Sequence, residues 1–147
     1  MTVNILLGLA PVLAYILAGS LKFALHSLRS RRLAFDLIGS GSFPSTHTAV
    51  VSAPLTLVAL INGISTPEFG LGLALLMIVI IDAMDLRRNV GFQAKAVNVL
   101  LQERSMRTVT PIKALRERTG HSLLEVAGGL FLGSLCGFSI HLIVGIS

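Results

Sequence analysis

At 147 residues, 53% of them hydrophobic and only 13% charged, the chain is too apolar for a soluble domain, which carries about 25% charged residues. Its mean hydropathy of +0.82 points to an all-α, polytopic membrane bundle forming a single domain over residues 1–147. The net charge of +5 comes from twelve Lys and Arg residues in two blocks, 22–32 and 87–118, at the ends of apolar segments; this argues against nucleic acid and for membrane lipids with an anionic lipid phosphate as substrate.

Residues 3–21 form a first apolar helix, with Pro11 a kink point, and residues 22–32 either continue it or turn along the interface. The segment lacks a basic leader and a small-residue cleavage site, so it reads as a retained helix. Residues 34–43 are short and glycine-rich and suit a re-entrant connection. Residues 46–61 form a second membrane helix, short for a full span. Asn62 to Pro67 make a tight turn, and residues 69–83 return as a third helix. In residues 88–104, Val90, Ala94, Val97 and Leu101 recur at helical spacing against Arg88, Lys95, Asn98, Gln102 and Glu103. This is an amphipathic helix on the membrane or capping the bundle. Residues 105–118 are a polar connection. Residues 121–146 form the last span, about 39 Å long at 1.5 Å per residue. Its Gly129, Gly133 and Gly137 make a flat stripe for close helix packing, which also allows a homodimer. The lone Cys136 lies in this apolar stretch as an inert buried thiol.

Four crossings put every Lys and Arg on one side, which the positive-inside rule makes cytoplasmic. The expected location is a bacterial inner membrane, with the polar site on the cytoplasmic side.

Four elements meet on that side. Lys22 and Arg29 are two helical turns apart and can point the same way. Gly39 to Phe43 lead into Pro44-Ser45-Thr46-His47, where Ser45 suits an N-cap and the helix N-terminus suits a phosphate. Asp82, Asp85, Arg87 and Arg88 end the third helix; a carboxylate there needs a partner, and Arg87 or Arg88 would supply it to Asp82. Gly120-His121 opens the fourth membrane helix, with Glu125 at i+4 from His121, close enough to orient its imidazole. His121 could attack phosphorus, His47 could protonate the leaving alkoxide and activate water, and Lys22, Arg29 and Arg87 could neutralise the phosphate oxygens. His26 and His141 read as structural.

The set Lys22-x6-Arg29, Pro44-Ser45-Thr46-His47, Asp82-Ala83-x3-Arg87 and Gly120-His121-x3-Glu125 resembles the type-2 phosphatidic acid phosphatase and vanadium-dependent haloperoxidase superfamily, in particular its divergent branch of small bacterial membrane proteins. The resemblance implies His121 as nucleophile, Glu125 as its orienting carboxylate and His47 as general acid. It implies phosphate binding by Lys22, Ser45 and Arg87. Beside these, Thr46 and Arg29 are expected at the phosphate, with Asp82 and Arg88 in a structural role around it. It implies no cofactor and no metal, with vanadate an inhibitor that mimics the transition state. Phosphatidic acid, phosphatidylglycerophosphate and polyprenyl phosphates are the substrates expected. Ser30 stands where the superfamily has proline, Glu125 where it has aspartate, and Arg87 lies 34 positions before His121 instead of six, which makes Arg116 a rival for the arginine role. Two other readings compete: a lipid-binding or transport protein that keeps the fold without turnover, and a metal-dependent CDP-alcohol-type phosphotransferase using Asp82 and Asp85.

Overall fold

The computed structural model describes residues 2–31, 43–105, 114–115, 117 and 120–145. The helices are α1 (Thr2–Ser30), α2 (Thr46–Ile61), α3 (Pro67–Ile81), α4 (Arg87–Ser105) and α5 (Leu123–Val144), with a five-residue π turn (Asp82–Leu86) joining α3 to α4. Most of the expected re-entrant segment and polar connection, and Arg116, lie outside the described residues. Among the described residues there is no strand. Three helical stretches are long and apolar enough to cross a membrane, Ile5–Ser30, Pro67–Gln102 and Leu123–Val144, and the shorter Thr46–Ile61 is apolar as well. The protein is a helical membrane bundle.

α1 runs through Pro11 without a break and continues past Lys22 to Ser30, so Lys22 and Arg29 extend the helix instead of turning away from it. At 29 residues it is about 43 Å long, which carries Arg29 beyond a hydrocarbon core of about 30 Å. α2 starts where Ser45 caps it and ends at Asn62, whose N–H bonds to the Val58 carbonyl. Gly63 then turns the chain at φ +88°, and Thr66 caps α3 with Pro67 in its first turn.

The third and fourth helical segments differ from the sequence expectation. No break separates them, because the π turn keeps the backbone helical from Pro67 to Ser105. A helix over residues 67–105 is about 58 Å long, roughly twice the hydrocarbon thickness, so the charged α4 extends beyond the membrane. Of the described α4 side chains only Gly91 and Ala94 are buried.

Small residues set the core. Ala10, Ala14 and Ala18 recur every fourth position on α1 and are all fully buried. Ala49, Ser52 and Ala53 line the facing side of α2, and Gly129, Gly133 and Gly137 line α5. A Cβ at Gly133 would overlap Ser52 Oγ and the Ala49 carbonyl, and one at Gly137 would overlap the Ala53 carbonyl. The glycine stripe is therefore filled by α2 of the same chain. In lipid, where apolar burial gives little drive, such close approach gains packing and allows hydrogen bonds between helices; Thr56 Oγ1 donates to Ser134 Oγ at 3.2 Å. Leu57 plugs the centre with Ala10, Ala14, Ala53, Cys136 and Ile140. α3 packs on α2 and buries only Leu76, leaving Leu71, Leu75, Met77 and Ile78 facing outward as a lipid-facing helix would.

Candidate active site

The alanine register of α1 leads to the site. Ala10, Ala14 and Ala18 are followed four residues on by Lys22, so the face that packs into the bundle ends in a buried lysine. Its neighbour is the start of α2. Ser45 is fully buried; its Oγ accepts the Thr48 N–H at 3.4 Å and the Thr48 hydroxyl at 2.9 Å. Its own N–H donates to the Glu125 carbonyl at 2.8 Å, which ties the α2 N-terminus to the first turn of α5. With Ser45 and Thr48 so engaged, the Thr46 and His47 amides are the first-turn donors that the cap leaves available. Thr46 is half-buried and His47 exposed.

The His47 and His121 rings meet edge to face, with centroids 6.1 Å apart and planes at 83°. His121 is held by its main chain: its N–H donates to the Ala83 carbonyl in the π turn at 2.9 Å. The Glu68 end of α3 is remote from this point, whereas the Asp82 end is part of it. Arg87 Nε donates to Asp82 Oδ2 at 3.3 Å across that turn, and both side chains are more than 40% exposed. Arg88 stacks on Phe92, with the guanidinium 5.8 Å from the ring centroid.

The relation expected between His121 and Glu125 is corrected. α5 begins at Leu123 with Ser122 as N-cap, so His121 precedes the helix and is not at i, i+4 from Glu125 on it. Ser122 Oγ accepts the Glu125 N–H at 3.3 Å, and Glu125 Oε2 accepts the Ser122 N–H at 2.8 Å, forming a capping box. The carboxylate therefore acts on the imidazole through its charge. His121 Nδ1 is buried and has no hydrogen-bond partner among the described residues. Burial is the main cause that lowers the His121 pKa below its ordinary value; Glu125 opposes this, and Lys22, His47 and Arg87 add to it. A lowered pKa keeps the ring neutral, as a nucleophile must be.

Lys22, Ser45, Thr46, His47, Arg87, His121 and Glu125 thus gather at one end of the bundle. Arg29 is exposed in the last turn of α1, farther along the helix than Lys22. Asp85 is exposed, and the π turn takes Asp82 and Asp85 out of the i, i+3 register that a regular α-helix would give them. Sequence reading missed the capping role of Ser122, although Ser-x-x-Glu is its usual signature. It also missed the Ala10-Ala14-Ala18-Lys22 register, legible in the four-residue spacing, and the π turn, for which no local sequence signal exists.

Fold and site define a multi-pass membrane protein whose polar residues cluster where two helices begin and a third is interrupted. The chain belongs to the Divergent PAP2 family, which it matches over residues 3–136. It is 32% identical over 149 aligned positions to the uncharacterized membrane protein YuiD of Bacillus subtilis (strain 168), with 92% of this chain and 91% of that one covered. No solved structure matches the chain.

Proposed function

We propose that the protein is a metal-independent lipid phosphate phosphatase acting at the cytoplasmic leaflet of a bacterial inner membrane. The observation that carries this reading is the meeting of His47 and His121 at 6.1 Å, at the mouth of two helix N-termini. Buried Lys22 and the guanidinium of Arg87 lie within electrostatic reach of His121. Membership of the Divergent PAP2 family supports a phosphatase-related role.

The chemistry follows from these groups. Neutral His121 attacks phosphorus through Nε2 while the P–O bond to the lipid breaks. Partial burial first, then Arg87 and Lys22, hold the His47 pKa below its ordinary value, so its proton is taken up as the phosphate neutralises those cations; His47, then imidazolium, gives that proton to the departing alkoxide. The phosphohistidine is then hydrolysed: His47, now neutral, takes a proton from water, oxygen attacks phosphorus, the P–N bond breaks and inorganic phosphate leaves. Lys22, Arg87 and the Thr46 and His47 amides stabilise the charge on the equatorial oxygens. Glu125 stabilises the positive charge on the phosphorylated ring. Phosphatidic acid, phosphatidylglycerophosphate and polyprenyl phosphates share the headgroup chemistry this site would take.

A second reading, lipid phosphate binding without turnover, is favoured by one contact: the Glu125 carboxylate bonds to the Ser122 amide and not to His121. Phosphate release from a panel of lipid phosphates by detergent-purified protein separates the two. Turnover that resists EDTA, is inhibited by vanadate and disappears in His121→Ala supports the phosphatase. Folded protein that releases no phosphate from any of them supports binding alone. Loss of turnover with EDTA would favour a metal-dependent reaction.

A further inference from the structure

An α-helix that continues from α3 into α4 would use every carbonyl in its interior. This one does not. In the π turn the Arg87 N–H reaches back five residues to the Asp82 carbonyl, not four to Ala83. The extra residue releases the Ala83 carbonyl from the Arg87 N–H, and the His121 N–H takes it at 2.9 Å. Ala83 is 1% exposed, so this bond lies away from water, where losing it would leave a buried acceptor unsatisfied.

The residue before His121 completes the fit. Gly120 has φ +99°, a conformation that side-chain-bearing residues rarely adopt. A Cβ on it would lie 3.2 Å from the Arg88 amide nitrogen and 3.5 Å from the Ala83 carbonyl oxygen. These are helix backbone atoms and cannot swing aside as a side chain would. The chain thus passes flat against the wide turn, bonds once, and enters the Ser122 cap of α5 immediately afterwards.

We propose that the π turn is the device that positions His121: the Ala83 carbonyl and the Cβ-free Gly120 together fix its main chain so that its ring meets His47. Ala83 and Gly120 are positioning residues, since neither offers a side chain to a substrate. A regular α-helix through residues 82–86 would remove the acceptor and change where the Asp82–Arg87 pair points. One distortion therefore serves both the histidine and the arginine. The catalytic consequence rests on the phosphatase reading; the placement of His121 does not.

The test has two parts. In the wild-type protein, single-residue hydrogen exchange reads the His121 amide. It lies outside any helix, yet it should exchange at least about 100-fold more slowly than an unstructured amide. Exchange at the unstructured rate would overturn the proposal, and this measurement needs no variant to fold. Gly120→Ala is then compared with Gly63→Ala, which carries the same kind of strain (φ +88°) in open space at the α2–α3 turn. Site-resolved modification by diethylpyrocarbonate reads the reactivity of His121. Gly120→Ala should change it several-fold and lower kcat about 100-fold with little change in KM. Gly63→Ala should leave both at wild-type values. Unchanged His121 reactivity in folded Gly120→Ala would sink the idea. If amide protection and reactivity behave as expected while no lipid phosphate is hydrolysed by the wild type, the phosphatase reading fails and the positioning role stands.

Discussion

The main-chain carbonyl of Glu125 accepts the Ser45 N–H at 2.8 Å, joining the Pro-Ser-x-His segment to the first turn of α5 without any side chain. Substitutions at Glu125 keep this tie, so its carboxylate can be tested separately. Glutamine at position 125 can still accept the Ser122 N–H and preserve the capping box. Glu125→Gln is therefore expected to keep wild-type thermal stability while losing about 10- to 100-fold in phosphate release, since it removes the negative charge that supports a cationic His121. Glu125→Ala should lose similar activity and in addition about 1 kcal/mol of stability, through the cap. Thermal unfolding and turnover of both variants check this; full activity in Glu125→Gln would confine the residue to capping.

The glycine stripe makes a prediction about stability alone. At Gly133 an added methyl group meets Ser52 Oγ and the α2 backbone, which can yield only if two helices separate. Gly133→Ala should cost about 1–3 kcal/mol, as overpacking does in tight cores. Gly8→Ala and Gly19→Ala, on α1 with nothing within 4 Å of the new Cβ, should be neutral or slightly stabilising. Unfolding in mild detergent with an added denaturant compares the three. Equal stability of Gly133→Ala and Gly19→Ala would mean that α2 and α5 are not in contact along this stripe.

Periodicity and apolar length made the helices legible, because a membrane helix must satisfy its own backbone and so shows itself as an unbroken apolar run. α2 starts and ends where the Ser45 cap and the Asn62-Gly63 turn put it. The gathering of Lys22, Pro44 to His47, Arg87 and Gly120 to Glu125 was legible for a related reason: two apolar helices joined by a tight turn bring the chain back to the end it left. What was not legible is finer than a helix. Treating His121 as the first residue of α5 ignored Ser122, whose hydroxyl competes for the helix end and sets it two residues later. The π turn was invisible because the partner of its released Ala83 carbonyl, the His121 N–H, lies more than 30 residues away in sequence, outside the reach of the local pattern Asp82 to Leu86.

The electrostatics around His121 predict opposite pH shifts from two substitutions. Burial lowers its pKa below 6.5, with Lys22 and Arg87 pushing the same way and Glu125 pushing back. If neutral His121 is the nucleophile, the acid limb of kcat/KM reports this group in the free enzyme and lies below the ordinary histidine range. Glu125→Gln removes the opposing charge and should move the limb further down. Lys22→Ala removes a positive charge and should move it up, even as it weakens phosphate binding. The sign for stability follows from proton uptake. Between the lowered folded value and about 6.5, the unfolded chain holds a proton at this position that the folded chain does not, so stability falls as pH drops through that window and is unaffected above it. A pH series of turnover and unfolding on the wild type and both variants tests each sign. An acid limb that moves the same way in Glu125→Gln and Lys22→Ala would show that a group other than His121 controls it, and His47, whose ring faces it at 6.1 Å, would be the one to substitute next.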